Sequence, residues 1–368
     1  MKIPVNEPVI TEASKKYVQE AVETGWISSA GKFIQQFEES FAEFIGTRHA
    51  ITTTSGTSAL HLGLCALNIG PGDEVILPNL TMGACMDAIL YTGATPVLVD
   101  IERDTFNIDP KQIEAHLSEK TKAIMAVHLF GHSADMDPIR VIAQEHGIAI
   151  LEDAAEVHGG TYKGRMCGSM GTIGCFSFYG NKIITTGEGG MVVTDNDALA
   201  ARARSLKDLA HDAAKRFWHK EIGFNYRMTN LQAALGLGQL ESVKEFLRHK
   251  EWLGQQYTEK LKDIEWLDLP VTREGIGNVY WMYIVLVNDK SKFTRDELRA
   301  KLLERGIDTR DIFYPLSDQP FANTSRKDDS YPVSADIAKR GFYLPSGLAL
   351  TQEQLDYVAD TLHSIENT

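Results

Sequence analysis

The chain has 368 residues, with 37 Lys and Arg against 50 Asp and Glu, a formal charge of −13. This length accommodates a large domain and a smaller one, and the acidic balance excludes a general nucleic-acid binder, which needs a basic face. Four scattered cysteines (Cys65, Cys85, Cys167, Cys175) without a C-x-x-C pair exclude a zinc or disulfide framework. The first eight residues carry no apolar signal segment, and no apolar run approaches membrane-spanning length, so a cytoplasmic protein with no membrane partner and no metal is expected.

Pro4 and Pro8 hold the first residues extended. Apolar spacing predicts helices over 12–24 and 33–44, the second carrying Phe33, Ile34, Phe37, Phe41 and Phe44. Between them the Gly25 to Gly31 stretch reads as a loop. From His49 the period shifts. Apolar runs at 50–53, 74–77, 96–99, 123–127, 148–151, 174–178 and 191–194 predict strands. Helical patterns at 58–67, 83–91, 110–117, 138–146 and 198–206 lie between most of them. Continuous apolar strands alternating with helices predict an α/β fold, a mostly parallel sheet covered by helices on both faces. Ligands of such folds sit beyond the carboxyl ends of the strands. After Thr229 the pattern predicts one long helix over 230–262, a strand over 280–287, a helix over 295–305, a polar mobile loop over 317–333 and a closing helix over 352–365. The division expected is a large domain, 1–235, and a smaller C-terminal α+β domain, 236–368.

Three stretches at successive strand ends carry candidate chemistry. Thr54-Ser55-Gly56-Thr57-Ser58 opens a helix and reads either as a helix cap or as a phosphate cradle, where small residues expose N–H groups to an anion. It lacks the lysine of a nucleotide-triphosphate loop. Glu152-Asp153-Ala154-Ala155-Glu156 reads either as acids favouring a helix start or as a partner for a protonated ring nitrogen. Ser177 to Gly190 holds one lysine, Lys182, in a turn followed by glycines. A solvated turn lysine is the ordinary reading. A desolvated amine able to form an imine is the functional one. A lysine and an acid at the ends of neighbouring strands suit a pyridoxal phosphate (PLP) site, the lysine forming the Schiff base and the acid keeping the pyridine nitrogen protonated. His128 and His158 are expected as packing histidines rather than catalytic ones.

The sequence resembles the DegT/DnrJ/EryC1/StrS family of sugar-nucleotide aminotransferases, PLP enzymes of fold type I, over nearly its whole length. The resemblance rests on Ser55-Gly56-Thr57, Gly72-Asp73-Glu74-Val75-Ile76, Gly93-Ala94-Thr95-Pro96-Val97, His128-Leu129-Phe130-Gly131 with Asp135-Met136-Asp137, Glu152 to Glu156, Ser177 to Gly190, and Gly223-Phe224-Asn225-Tyr226-Arg227-Met228-Thr229. Arg216-Phe217-Trp218 and Trp281-Met282-Tyr283 are similar to the GDP-perosamine synthase branch.

The resemblance implies Lys182 as the Schiff-base lysine and proton carrier, Asp153 on the pyridine nitrogen, and Glu156 beside the ring oxygen. It also implies Ser55, Gly56, Thr57 and Ser177 around the phosphate, with Asn225 reaching it from the other subunit of a homodimer. Met82 stands where the family usually places an aromatic residue on the cofactor ring, and Ser317 where it often has histidine. Trp26, Ser28, Arg227, Tyr314 and Ser317 are the sugar-side candidates; Arg310 either braces the small domain or binds an anion. The implied reaction moves an amino group from glutamate, through pyridoxamine phosphate, to C4 of a nucleotide-linked 4-keto-6-deoxy sugar, with GDP-4-keto-6-deoxymannose favoured. The alternatives are a UDP- or dTDP-linked 3- or 4-keto sugar, a PLP-dependent sugar dehydratase, which Lys182 argues against, and a non-catalytic relative.

Overall fold

The computed structural model describes residues 1–212, 214–215, 217–322 and 331–366. Arg216, and residues 323–330 of the loop expected to be mobile, lie outside the described residues. Seven strands form the central sheet in the order His49–Thr53, Gly190–Thr194, Ile173–Ser177, Ala149–Asp153, Thr121–Val127, Glu74–Pro78, Thr95–Val99. All neighbours pair in parallel except around Gly190–Thr194, which runs antiparallel to both of its partners. The inner strands are buried on both faces, which is why they read as unbroken apolar runs.

Register decides what meets at one edge. Val127 pairs with Asp153, and Asp153 with Cys175, so Ser177 projects two residues further. The reversed strand begins there, with Gly190 opposite both Ser177 and Thr53. The three candidate stretches therefore converge on a single sheet edge.

The helix Lys32–Ile45 packs beneath this edge through its phenylalanines. Phe37 and Phe41 lie 5.1 and 5.3 Å from Phe178, and Phe41 lies 5.0 Å from Phe176. Each is fully buried, which stabilises by about 1.5–3 kcal/mol per ring. They fix the chain immediately before Lys182.

The long helix expected over 230–262 is two helices, Asn230–Glu241 and Val243–Leu261, broken at Ser242 (φ −99°, ψ 4°). The first packs so closely on Glu12–Glu23 that a Cβ at Gly238 would stand 2.2 Å from the Ser14 nitrogen. The second turns away to a different core. That core holds Leu253, Tyr257, Tyr283, Phe342, Leu355 and Leu362, while Phe246 still belongs to the first. An antiparallel sheet, Leu267–Asp268, Tyr283–Val287, Gly341–Leu344 and Arg310–Asp311, backs the second core. Its central strand starts at Tyr283, not at 280, because Tyr280 is left-handed (φ 44°), a conformation a strand cannot contain.

Candidate active site

The cleft lies at the carboxyl edge of the large sheet and encloses about 740 Å³. Asp153 and Glu152 end one strand and, by strand alternation, face opposite ways. Glu152 is wholly buried and fully used. It pairs with His128 at 2.9 Å and accepts the N–H groups of Gly168, Met170 and Gly171. Asp153 faces the cleft. Its Oδ1 accepts the Ala155 N–H at 3.0 Å and its Oδ2 accepts the Cys85 thiol at 3.0 Å. Glu156 lies behind, accepting the Phe130 N–H at 2.9 Å. Burial raises its pKa, although Lys182 and that N–H pull the other way.

Lys182 is not a solvated turn lysine. Its side chain is 11% exposed, with Nζ 3.4 Å from Glu156 Oε1 and 3.9 Å from the centre of the Trp281 ring. The turn that carries it is closed by Thr186 N–H on the Phe178 carbonyl at 2.9 Å and by Phe178 N–H on the Gly189 carbonyl at 2.8 Å. From outside, Trp281 Nε1 at 2.9 Å and Asn6 Nδ2 at 3.2 Å both donate to the Asn181 carbonyl, the peptide just before the lysine.

The anion corner satisfies both readings of Ser55. Its hydroxyl caps the helix Gly56–Ala66 in a reciprocal pair with Ser58. The N–H groups of Gly56 and Thr57 make no hydrogen bond among the described residues, leaving a helix N-terminus ready for an anion. A Cβ on Gly56 would come 2.7 Å from Ser177 Cβ, and one on Gly190 would come 2.2 Å from the Ser55 carbonyl oxygen. The corner is closed only because both are glycine. An amine, a carboxylate and an open helix end in one cleft fit PLP.

Ser55, Gly56, Thr57, Met82, Asp153, Glu156, Ser177 and Lys182 all line this cleft, and Arg310 joins them. Met82 is 54% exposed at its wall. The other candidates do not line it. The carbonyls of Trp26 and Ser28 are held by the side chain and main chain of Asn230, both at 2.6 Å, which ties that loop to a helix start. Asn225 is exposed and accepts from Arg227 Nε at 2.9 Å, while Arg227 also pairs with Asp208. Ser317 is bonded twice to Asn79, through its own N–H and through the asparagine amide. Tyr314 is exposed, next to Phe313, which does line the cleft.

Sequence reasoning missed Cys85, whose thiol reaches Asp153 from a helix turn, and Asn6. It quoted Trp281 without a role. Among the signals, only the aromatic Trp281 in an otherwise apolar segment was available. His158 is buried as expected, between Phe176 and Phe178, and burial pushes its pKa down to about 3.

The profile of the DegT/DnrJ/EryC1/StrS aminotransferase family matches residues 8–363. The chain is 44% identical to the GDP-perosamine synthase of Caulobacter vibrioides, covering 99% of this chain and 98% of that one. It is 42% identical to the GDP-perosamine synthase of Escherichia coli O157:H7, covering 98% of both. Among solved structures, DesV of S. venezuelae superimposes with a TM-score of 0.91 at 34% identity, over 96% of this chain and 94% of that one. Spr1654 of Streptococcus pneumoniae in its PLP form gives 0.94 at 27%, over 100% and 99%. The chain belongs to the DegT/DnrJ/EryC1/StrS aminotransferase family, a family of PLP-dependent enzymes.

Proposed function

We propose that this enzyme transfers an amino group from glutamate to C4 of GDP-4-keto-6-deoxymannose, giving GDP-perosamine. One observation carries the chemistry: Lys182 shares a cleft with buried Asp153 and with the open helix end at Gly56 and Thr57. The full-length likeness to two GDP-perosamine synthases supports the choice of sugar.

PLP bound there supplies an electron sink for the carbon whose proton is removed or added. Asp153, oriented by Ala155 and Cys85, keeps a ring nitrogen protonated. Ser55, Gly56, Thr57 and Ser177 would hold the phosphate, and Met82 would offer its thioether to the ring. Glu156 would lie beside the ring oxygen, and its contact with Lys182 Nζ keeps the amine pointed into the cleft. Lys182 Nζ carries the proton from donor carbon and to sugar carbon. Binding of the nucleotide diphosphate, remote from C4, positions the sugar ring for that transfer.

The unit we propose is a homodimer in the cytoplasm. The partner subunit's Asn225, exposed, and the partner subunit's Arg227, half-buried, would complete the anion corner. Trp26, Ser28, Tyr314 and Ser317 are assigned to the sugar side of the assembled site. The large domain is proposed as 1–235 and the small one as 236–368, the helix break at Ser242 lying just after that division.

A panel of nucleotide-linked keto sugars with glutamate, read by mass spectrometry and NMR, tests the reading. Amination of the GDP sugar at C4 is expected. Preferred amination of a UDP- or dTDP-linked sugar, or amination at C3, would replace the substrate assignment. No amination of any member would sink the function.

A further inference from the structure

Lys250 is 1% exposed, in the middle of the helix Val243–Leu261. No carboxylate pairs with it among the described residues. Its Nζ donates to two main-chain carbonyls, those of Trp281 at 2.9 Å and Ser346 at 2.5 Å. Burial pushes its pKa down to about 7. A buried amine without a counter-ion is the costly way to fill this space, and a methionine of similar length would avoid the desolvation. Packing alone does not account for the lysine.

The two carbonyls lead to the same place. Through Trp281, the indole ring stands 3.9 Å from Lys182 Nζ and its Nε1 donates to the Asn181 carbonyl at 2.9 Å. Through Ser346, the N–H donates to the Val5 carbonyl at 2.8 Å, and the next residue, Asn6, donates through Nδ2 to the same Asn181 carbonyl at 3.2 Å. Ser346 Oγ also accepts the Tyr283 N–H at 2.9 Å, two residues after Trp281, which closes the ring of contacts. The amine thus bonds residues 281 and 346 directly and reaches 5–6 through Ser346, and Trp281 and Asn6 bear on the peptide that precedes the active-site lysine.

We propose that Lys250 is a positioning residue of the transamination, holding Trp281 and the N-terminal segment against the Asn181 carbonyl and so setting where the Lys182 amine stands. The proposal rests on the assignment of Lys182 as the reacting amine. Lys182→Ala tests that assignment separately: a variant still turning over would sink it whatever Lys250 does.

The experiment compares Lys250→Met and Lys250→Arg with the wild type in the PLP-loaded protein and in the PLP-free protein titrated with PLP. The readouts are the pH midpoint of the visible band of bound PLP, the PLP dissociation constant, kcat, KM and the melting temperature. For Lys250→Met we expect a displaced pH midpoint, weaker PLP capture, and a kcat lowered about 10- to 100-fold with a smaller change in KM. Lys250→Arg should recover part of each, because it restores donors to the carbonyls. A lower melting temperature with unchanged midpoint, PLP affinity and kcat would leave Lys250 a purely structural residue and overturn the proposal. Asn6→Ala and Trp281→Phe each remove one donor to Asn181 without touching the core lysine, and they decide the matter if Lys250→Met does not fold. Displaced midpoints in both, with a non-additive double variant, support the clamp; wild-type midpoints in both overturn it.

Discussion

The two walls of the cleft are built differently. The strand-end wall takes Asp153, Ser177 and the Gly56 corner from the ends of three strands of one sheet, and its geometry follows from strand register. The opposite wall takes Asn6 from the N-terminal segment and Trp281, Arg310 and Tyr343 from the C-terminal part of the chain. Arg310 and Tyr343 are register partners in the small antiparallel sheet, whereas Asn6 and Trp281 are held by single hydrogen bonds to the Asn181 carbonyl and, for Trp281, by Lys250. The first wall is built for chemistry common to a cofactor; the second can change without rebuilding the sheet. Lys182 sits where they meet, bonded to Glu156 of the first and stacked on Trp281 of the second.

The largest effect should come from the meeting point. Lys182→Ala removes the amine and leaves Glu156 buried without its cation. Turnover should fall by at least about 10⁴-fold, more than a general base alone supplies, because covalent and proton-transfer roles are lost together. The protein should keep its fold by circular dichroism and lose the visible band of bound PLP. A variant with measurable turnover and an unchanged band would place the reacting amine elsewhere.

Next in size is the strand-end wall. Gly56→Ala would push a methyl to 2.7 Å from Ser177 Cβ, and the corner must open to accept it. PLP affinity should weaken about 10- to 100-fold, the range of one lost charge-assisted hydrogen bond at about 1.5–3 kcal/mol. KM for the sugar should change less, since none of the residues proposed for the sugar side lies at this corner. Unaltered PLP affinity would show that the Gly56 and Thr57 N–H groups do not hold the phosphate. A related measurement addresses completion of this wall by a second copy: Asn225→Ala and Lys182→Ala proteins, each impaired alone, should regain activity when unfolded and refolded together. Failure to regain any would count against a shared site.

The contrast also explains what could be read in advance. Every strand of the large sheet was recognisable, and Asp153, Glu156, Ser177 and Lys182 with it, because register converts short motifs at successive strand ends into neighbours. Cys85 was not recognisable as an Asp153 donor: nothing in Thr81-Met82-Gly83-Ala84-Cys85 says which way a thiol on the first turn of a helix faces. Nor was the break at Ser242, which has no glycine or proline at it and precedes a helix that leaves the first core after Phe246 and enters the second at Leu253. Asn6 and Trp281 escaped for the same reason. Their roles depend on how 181, 281 and 346 come together, and no local pattern encodes that. Asn225, Arg227, Trp26 and Ser28 lie outside the cleft of one chain, where a motif carries meaning only through a proposed second copy.

The smallest effect expected is on stability, and it isolates the second wall. Lys250 has a folded pKa of about 7 because it is buried, against about 10.4 in an unfolded chain. Below pH 7 both states hold the proton and its contribution is constant. Between these values the unfolded chain binds a proton that the folded chain has released, so stability must rise with pH. The slope is at most roughly 1.4 kcal/mol per pH unit, reached near pH 8 to 9. The nearest titrating neighbours fall outside that window: burial lowers the pKa of His249, and Tyr257, whose hydroxyl donates to the Pro345 carbonyl, is held well above its ordinary value. Urea unfolding of the wild type and Lys250→Met at pH 7, 8 and 9 should therefore show the wild type gaining relative to the variant at each step. Parallel stability profiles would mean that Lys250 keeps an ordinary pKa in the folded enzyme, and that the ammonium, rather than a neutral amine, bridges Trp281 to Ser346.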